Sequence, residues 1–115
     1  MKKTLFLTLL ISTGAWANCE SNGTAAKTVA CYEKQSYSQV IHKLEELRSA
    51  SKEQLSYNPN VIKELDKSQA TWLAYRDSYC DTYSNYHAEA NNHSNCIIGM
   101  NNQRAEQLQQ DIDAN

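Results

Sequence analysis

The chain has 115 residues, a formal net charge of −2, one proline and four cysteines. This length makes one small domain, and the acidic balance excludes a nucleic-acid binder and leaves no polybasic patch for a membrane surface. A core built from so short a chain is marginal, so covalent staples add much to its stability.

The first segment reads as an address. Lys2 and Lys3 form a basic start, Leu5 to Ile11 an apolar run, and Ala15-Trp16-Ala17 a small-x-small cleavage site. The run is too short to span a bilayer and is interrupted by Ser12, Thr13 and Gly14. Residues 1–17 are therefore expected to be a removed secretory signal of bacterial type, leaving 18–115 as the single mature domain in the periplasm or outside the cell. Trp16 and Asn18 do not fit the apolar and small positions of a lipoprotein signal around Cys19. Removal of Lys2 and Lys3 from the 11 basic residues leaves 9 against 13 acidic ones, a net charge of −4.

Four cysteines in an exported chain imply two disulfides, with three connectivities open. Short sequence separation favours Cys19–Cys31 and Cys80–Cys96. Each closes a loop of roughly 13–17 residues, worth about 3 kcal/mol in the chain-entropy model. The spacings are not those of a zinc site.

Asn22-Gly23 marks a turn, and Thr24 is placed to cap a helix that begins near Ala25. No glycine or proline occurs from Ala25 to Leu55. Val29, Tyr37, Val40, Ile41, Leu44, Leu47 and Leu55 supply apolar positions, at helical spacing from Tyr37 onward. Ser36 and Ser38 leave open whether Ala25–Gln35 is a separate short helix.

Ser56-Tyr57-Asn58-Pro59-Asn60 breaks the pattern. Asn58 is placed to cap, and Pro59 suits the first helical position. The second helix runs from there toward Tyr86. Its inner stripe is Ile62, Leu65, Gln69, Trp72, Arg76, Tyr79, Tyr83 and Tyr86, in alternating steps of three and four like a heptad seam.

Ala90 to Asn95 reads as an Asn- and His-rich loop. A third helix is expected from about Cys96, with Ile97 or Ile98, Asn101, Ala105, Leu108 and Ile112 on one face. Helix from Cys80 to Ala90 advances about 15 Å, and six extended steps to Cys96 return about 20 Å, so the Cys80–Cys96 bridge is within reach. Nothing reads as a strand. The expected fold is all-α, a small antiparallel helical hairpin or bundle of three to four helices stapled by two disulfides.

The second helix carries the most informative wording. Trp72 is expected in the core. Arg76, on an apolar stripe, needs a partner, expected to be Glu33, Glu45 or Glu46 of the first helix. Adjacent Asp77 points about 100° away on a helix and is expected to bond a neighbouring helix or loop. Tyr75 and Tyr79 are expected half-buried in the core. Tyr83 and Tyr86, near the loop, are expected to be exposed and are candidate partner-binding residues with His87 and His93.

No nucleophile–base motif, phosphate loop or nucleotide fingerprint is present. Asp77 with Asp81 or Glu89 is not placed around a substrate pocket. His42, His87 and His93 do not share a metal-ligand spacing. The reading is thus a protein without catalytic residues, metal or cofactor. Asn22-Gly23-Thr24 and Asn92-His93-Ser94 match glycosylation sites that a bacterial export route does not use.

Trp72, Tyr75, Arg76, Asp77 and Cys80 spell W-x-x-Y-R-D-x-x-C, preceded by Ser68-Gln69. With Cys19 and Cys31 before them, and Cys96, Arg104 and Leu108 after, the chain resembles the LprI-type lysozyme-inhibitor family over almost its whole mature length. Family members often carry a Gly-Gly-Ser-like segment between the last two cysteines. Here the chain has Tyr86-His87-Ala88-Glu89-Ala90-Asn91-Asn92 instead. The resemblance implies a non-enzymatic exported binding protein whose partner is a lysozyme-type muramidase. The alternative reading is a periplasmic structural or envelope-stress protein with another partner.

Overall fold

The computed structural model describes residues 19–20, 23–54 and 58–114. The signal segment 1–17, its cleavage site, Asn22, Leu55 and the Ser56–Tyr57 break lie outside the described residues. Three helices follow in order: α1 (Ala25–Gln54), α2 (Asn60–Tyr86) and α3 (Asn92–Ala114). Among the described residues there is no strand, and no helix is long and apolar enough to cross a membrane.

The start of α1 follows from its first residues. Gly23 takes φ +85°, a conformation that suits glycine, and turns the chain into the helix. Thr24 Oγ1 then accepts from the Lys27 backbone N–H at 3.2 Å, which satisfies one of the first unpaired donors. The Cys19–Cys31 disulfide ties the preceding segment back onto α1 and leaves Cys19 fully buried. Beside it the Tyr32 hydroxyl donates to Glu20 at 3.0 Å, and this bond to a carboxylate raises the phenol's pKa.

α1 is one helix through its serines. The Ser36 hydroxyl donates to the Glu33 carbonyl at 2.9 Å, so the polar group is satisfied within the helix. α2 opens with Pro59 as its cap residue, one position later than expected. The bond that closes this end is made by the Asn58 backbone carbonyl, which accepts from Val61 N at 3.3 Å, and the cap makes no side-chain bond.

α3 begins at Asn92, four residues before the expected Cys96. Asn91 adopts φ 66°, a left-handed value that asparagine tolerates, and reverses the chain. Its carbonyl accepts from Asn95 N at 2.9 Å, and Asn92 Nδ2 donates to the His87 carbonyl at 2.7 Å. The Asn-rich stretch is a tight turn followed by the first turn of α3.

The core joins α1 to α3. Val40, Leu44 and Leu47 of α1 pack with Ala105 and Leu108 of α3. Tyr37, Leu65, Trp72 and Ile112 close around them. Ser36 meets Asn101, whereas Arg48 and Tyr37 meet Asp66 and Arg76 in reversed order. Hence α1 and α3 run parallel and α2 runs antiparallel to both. The Cys80–Cys96 disulfide pins the end of α2 to the start of α3.

The seam expected along α2 does not hold to its end. Gln69 is buried and Arg76 lies inward, but Cys80 is fully buried where Tyr79 was expected. Tyr75 is 58% exposed and Tyr79 41% exposed, so neither is a core residue. A straight helix drifts about 20° per heptad from a 3.5-residue repeat. Over this helix the drift carries Tyr79 and Tyr86 outward and brings Cys80 to the face toward α3.

Candidate functional site

Two regions of α2 carry the residues singled out in the sequence. The first lies between the helices. Arg76 Nε and Nη2 donate to Asp77 Oδ1 at 2.9 and 2.7 Å. Arg76 Nη1 donates to Asn101 Oδ1 at 2.9 Å, and Asn101 Nδ2 donates to Ser36 Oγ at 3.0 Å. The guanidinium carbon also lies 5.2 Å from the Tyr37 ring centre and 5.5 Å from that of Trp72. One arginine of α2 is thereby tied to α1 and α3 through neutral groups.

This arrangement corrects two expectations. Arg76 pairs with Asp77, and Glu33, Glu45 and Glu46 are not its partners. The long arginine side chain folds back to reach its neighbour's carboxylate, which the angular separation of Cβ atoms does not forbid. Asp77 accordingly serves Arg76 rather than a neighbouring helix. The first-helix carboxylates are used locally: Glu46 meets His42 and Lys43, and Glu45 meets Arg48. Arg48 in turn pairs with Asp66 across α1 and α2.

A second arginine repeats the design. Arg104 of α3 is 8% exposed, donates to Gln69 at 3.2 Å and Gln107 at 2.7 Å, and its guanidinium carbon lies 5.7 Å from the Trp72 ring centre. Burial lowers its pKa, and the field of Asp111 opposes that shift. The sequence marks Arg104 only through the family resemblance, and the buried pairing of Arg104 with Gln69 and the bridging roles of Ser36 and Asn101 escape a sequence reading. Their only signal is polar residues at helical spacing on an otherwise apolar face.

Trp72, half-buried, is therefore both a core edge and a platform for two cations. An open cleft of about 360 Å³ lies over this region, between Glu33, Lys34 and Tyr37 of α1, Arg76, and Ile97 and Asn101 of α3. The guanidinium on its wall is committed to internal bonds. Among the described residues no three His, Cys, Asp or Glu side chains are grouped to hold a metal ion.

The second region is on the surface. Tyr83 and Tyr86 stand 5.6 Å apart between ring centres, and His87 lies 4.5 Å from Tyr83 and 4.7 Å from Tyr86. Tyr86 is 59% exposed and Tyr83 is half-buried. Desolvation first, and then Tyr79 and Tyr83, raise the Tyr86 pKa. His93 does not join this group: its Nε2 is 2.9 Å from Asp81 Oδ1. The disulfide at Cys80 and Cys96 braces this end of the molecule. The arrangement groups aromatic area and hydrogen-bonding tips at a disulfide-braced end of the molecule.

Compared with models of protein families, residues 15–108 match the family of the lysozyme inhibitor LprI. No curated protein and no solved structure gives a match.

Proposed function

The chain belongs to the LprI lysozyme-inhibitor family, and from that membership we propose that it is an exported protein that binds and inhibits a lysozyme-type muramidase without chemistry of its own. The observation that carries this reading is the family match across residues 15–108. The geometry supports it in two ways. The arginines of the signature region are spent on internal bonds, which suits a scaffold. The aromatic end of α2 supplies a contact surface.

In this reading Tyr83, Tyr86 and His87 are the anchors and His93 lies at the rim. Aromatic anchors bury large areas with few rotatable bonds, so little conformational freedom is lost on contact. The Cys80–Cys96 bridge holds the turn between α2 and α3 in place before the partner arrives. That preorganisation lowers the entropic cost of association. Inhibition then follows from steric cover of the enzyme's cleft.

The test uses folded, oxidised protein in stoichiometric excess over chicken-type, goose-type and invertebrate-type lysozymes. Inhibition of at least one class, with matching binding by calorimetry, is expected. Full activity of all three with no heat of binding overturns the reading and leaves a structural or envelope-stress role.

A further inference from the structure

Four tyrosines follow one another along α2. Ring centres are 5.8 Å apart from Tyr75 to Tyr79, 6.3 Å from Tyr79 to Tyr83 and 5.6 Å from Tyr83 to Tyr86. The first two steps keep the ring planes within 35° and 27° of parallel. Tyr75, Tyr79 and Tyr86 are among the exposed large apolar side chains of the molecule, and the fold makes no use of their outer surface. The array is therefore an unpartnered, regularly spaced aromatic stripe.

Its surroundings define what it accepts. Thr71, Ser78 and Thr82, all uncharged and exposed, share with half-buried Trp72 and Arg76 the helical positions three and four residues from Tyr75 and Tyr79. Along the stripe Arg76 and, across from it, Arg104 are turned into internal bonds, the imidazoles of His87 and His93 lie at its far end, and the exposed Lys67 stands one helical turn before Thr71. From Ser68 to Ala114 the chain carries six carboxylates: Asp77, Asp81, Glu89, Glu106, Asp111 and Asp113. Asp77 and Asp81 sit two positions beyond Tyr75 and Tyr79, on the other side of the helix. The stripe is thus neutral and rich in hydroxyl groups, within an acidic half of the molecule.

We propose that this tyrosine stripe binds an extended, uncharged glycan chain. Rings repeating along a line match a ligand that also repeats along a line, whereas a globular epitope has no such period. A pyranose presents an apolar C–H face to each ring, and its hydroxyls meet the tyrosine, serine and threonine hydroxyls at the edges. Carboxylates outnumber the exposed lysine beside the stripe, so the local field opposes anionic polymers and leaves uncharged ones unopposed. The site shares Tyr83 and Tyr86 with the proposed lysozyme surface and extends beyond it through Tyr75 and Tyr79, and glycan binding there does not require that a lysozyme is bound.

The experiment is a titration of the folded, oxidised protein with chitohexaose and, separately, cellohexaose, followed by NMR and calorimetry. Saturable shifts confined to residues 71–87 are expected with at least one of them. The double variant Tyr75→Ala/Tyr79→Ala removes exposed rings only. It should weaken that binding about tenfold or more and leave the melting temperature unchanged. Binding to any lysozyme that the wild type recognises should persist in this variant. No shifts with either sugar, shifts centred elsewhere, or tighter binding of an anionic alginate oligomer overturns the proposal. A protein that binds the glycan but no lysozyme sustains this site and refutes the inhibitor reading, so the two fail separately.

Discussion

Asn101 is the residue on which the three helices meet. It is fully buried, accepts from Arg76 of α2 and donates to Ser36 of α1. Its replacement by an apolar residue of similar size leaves a guanidinium N–H of Arg76 unmatched and removes the donor to Ser36 Oγ, whose own hydroxyl stays bonded to the Glu33 carbonyl. Asn101→Leu is expected to cost about 2–4 kcal/mol. Asn101→Asp keeps an acceptor for Arg76, and the serine can turn its hydroxyl toward the new carboxylate. It is expected to lose less than half as much, and urea unfolding of the two variants measures the difference. Equal losses would show that the hydrogen bonds do not set the strength of this junction.

Gln69 presents the opposite situation. Its Oε1 accepts from Arg104, but its Nε2 is buried without a hydrogen-bond partner. Gln69→Glu removes that donor and turns the bond to the buried guanidinium into a charge-assisted one. A gain of about 1 kcal/mol is expected, because the cation is already desolvated and lacks a bonded carboxylate. A lower melting temperature than wild type at neutral pH would mean that desolvation of the new carboxylate outweighs the attraction. These polar residues were also the least legible in the sequence. The need of Arg76 for a partner is legible in its place on the stripe, but its pairing with Asp77 is not, because Cβ directions alone do not describe a long, flexible side chain.

At the scale of elements, the junction of α2 and α3 is held by one covalent bond and few other groups. The disulfide joins residues 16 positions apart, a loop for which the chain-entropy model gives about 3 kcal/mol. The double variant Cys80→Ala/Cys96→Ala should lose about that much in denaturant unfolding. Hydrogen exchange should quicken first between Tyr83 and Asn95. Uniform loss of protection along all three helices would show that the bridge stabilises the whole bundle rather than its end. Helix ends were read well where a side chain does the capping, as at Thr24. They were missed where the backbone does it. The start of α3 depends on the left-handed turn at Asn91 and on backbone carbonyls, which leave little trace in residue type.

At the scale of the whole molecule, chain order misleads about what packs on what. Adjacent helices suggest a hairpin of α1 and α2 with α3 added, yet the apolar core runs between α1 and α3. The all-α bundle is legible in the apolar spacing, and short sequence separation favours the two disulfide pairings that the structure contains. The partnership of α1 with α3 is not legible, since each helix shows an apolar face without naming the face it meets. The consequence is testable by truncation. α1 and α2 alone share mainly the Arg48–Asp66 pair and the contact of Tyr37 with Arg76. Removal of α3 exposes Val40, Leu44 and Leu47 and strips Arg76 of Asn101. A chain ending at Ala88 is therefore expected to be largely unfolded at 25 °C, with helicity far below what its two helices would give if folded and no cooperative melting. Addition of a separate peptide covering residues 89–114, oxidised to the Cys80 thiol through Cys96, should restore cooperative unfolding. Cooperative melting of the truncated chain alone would show that α1 and α2 form an autonomous hairpin, and would reduce α3 to an accessory helix.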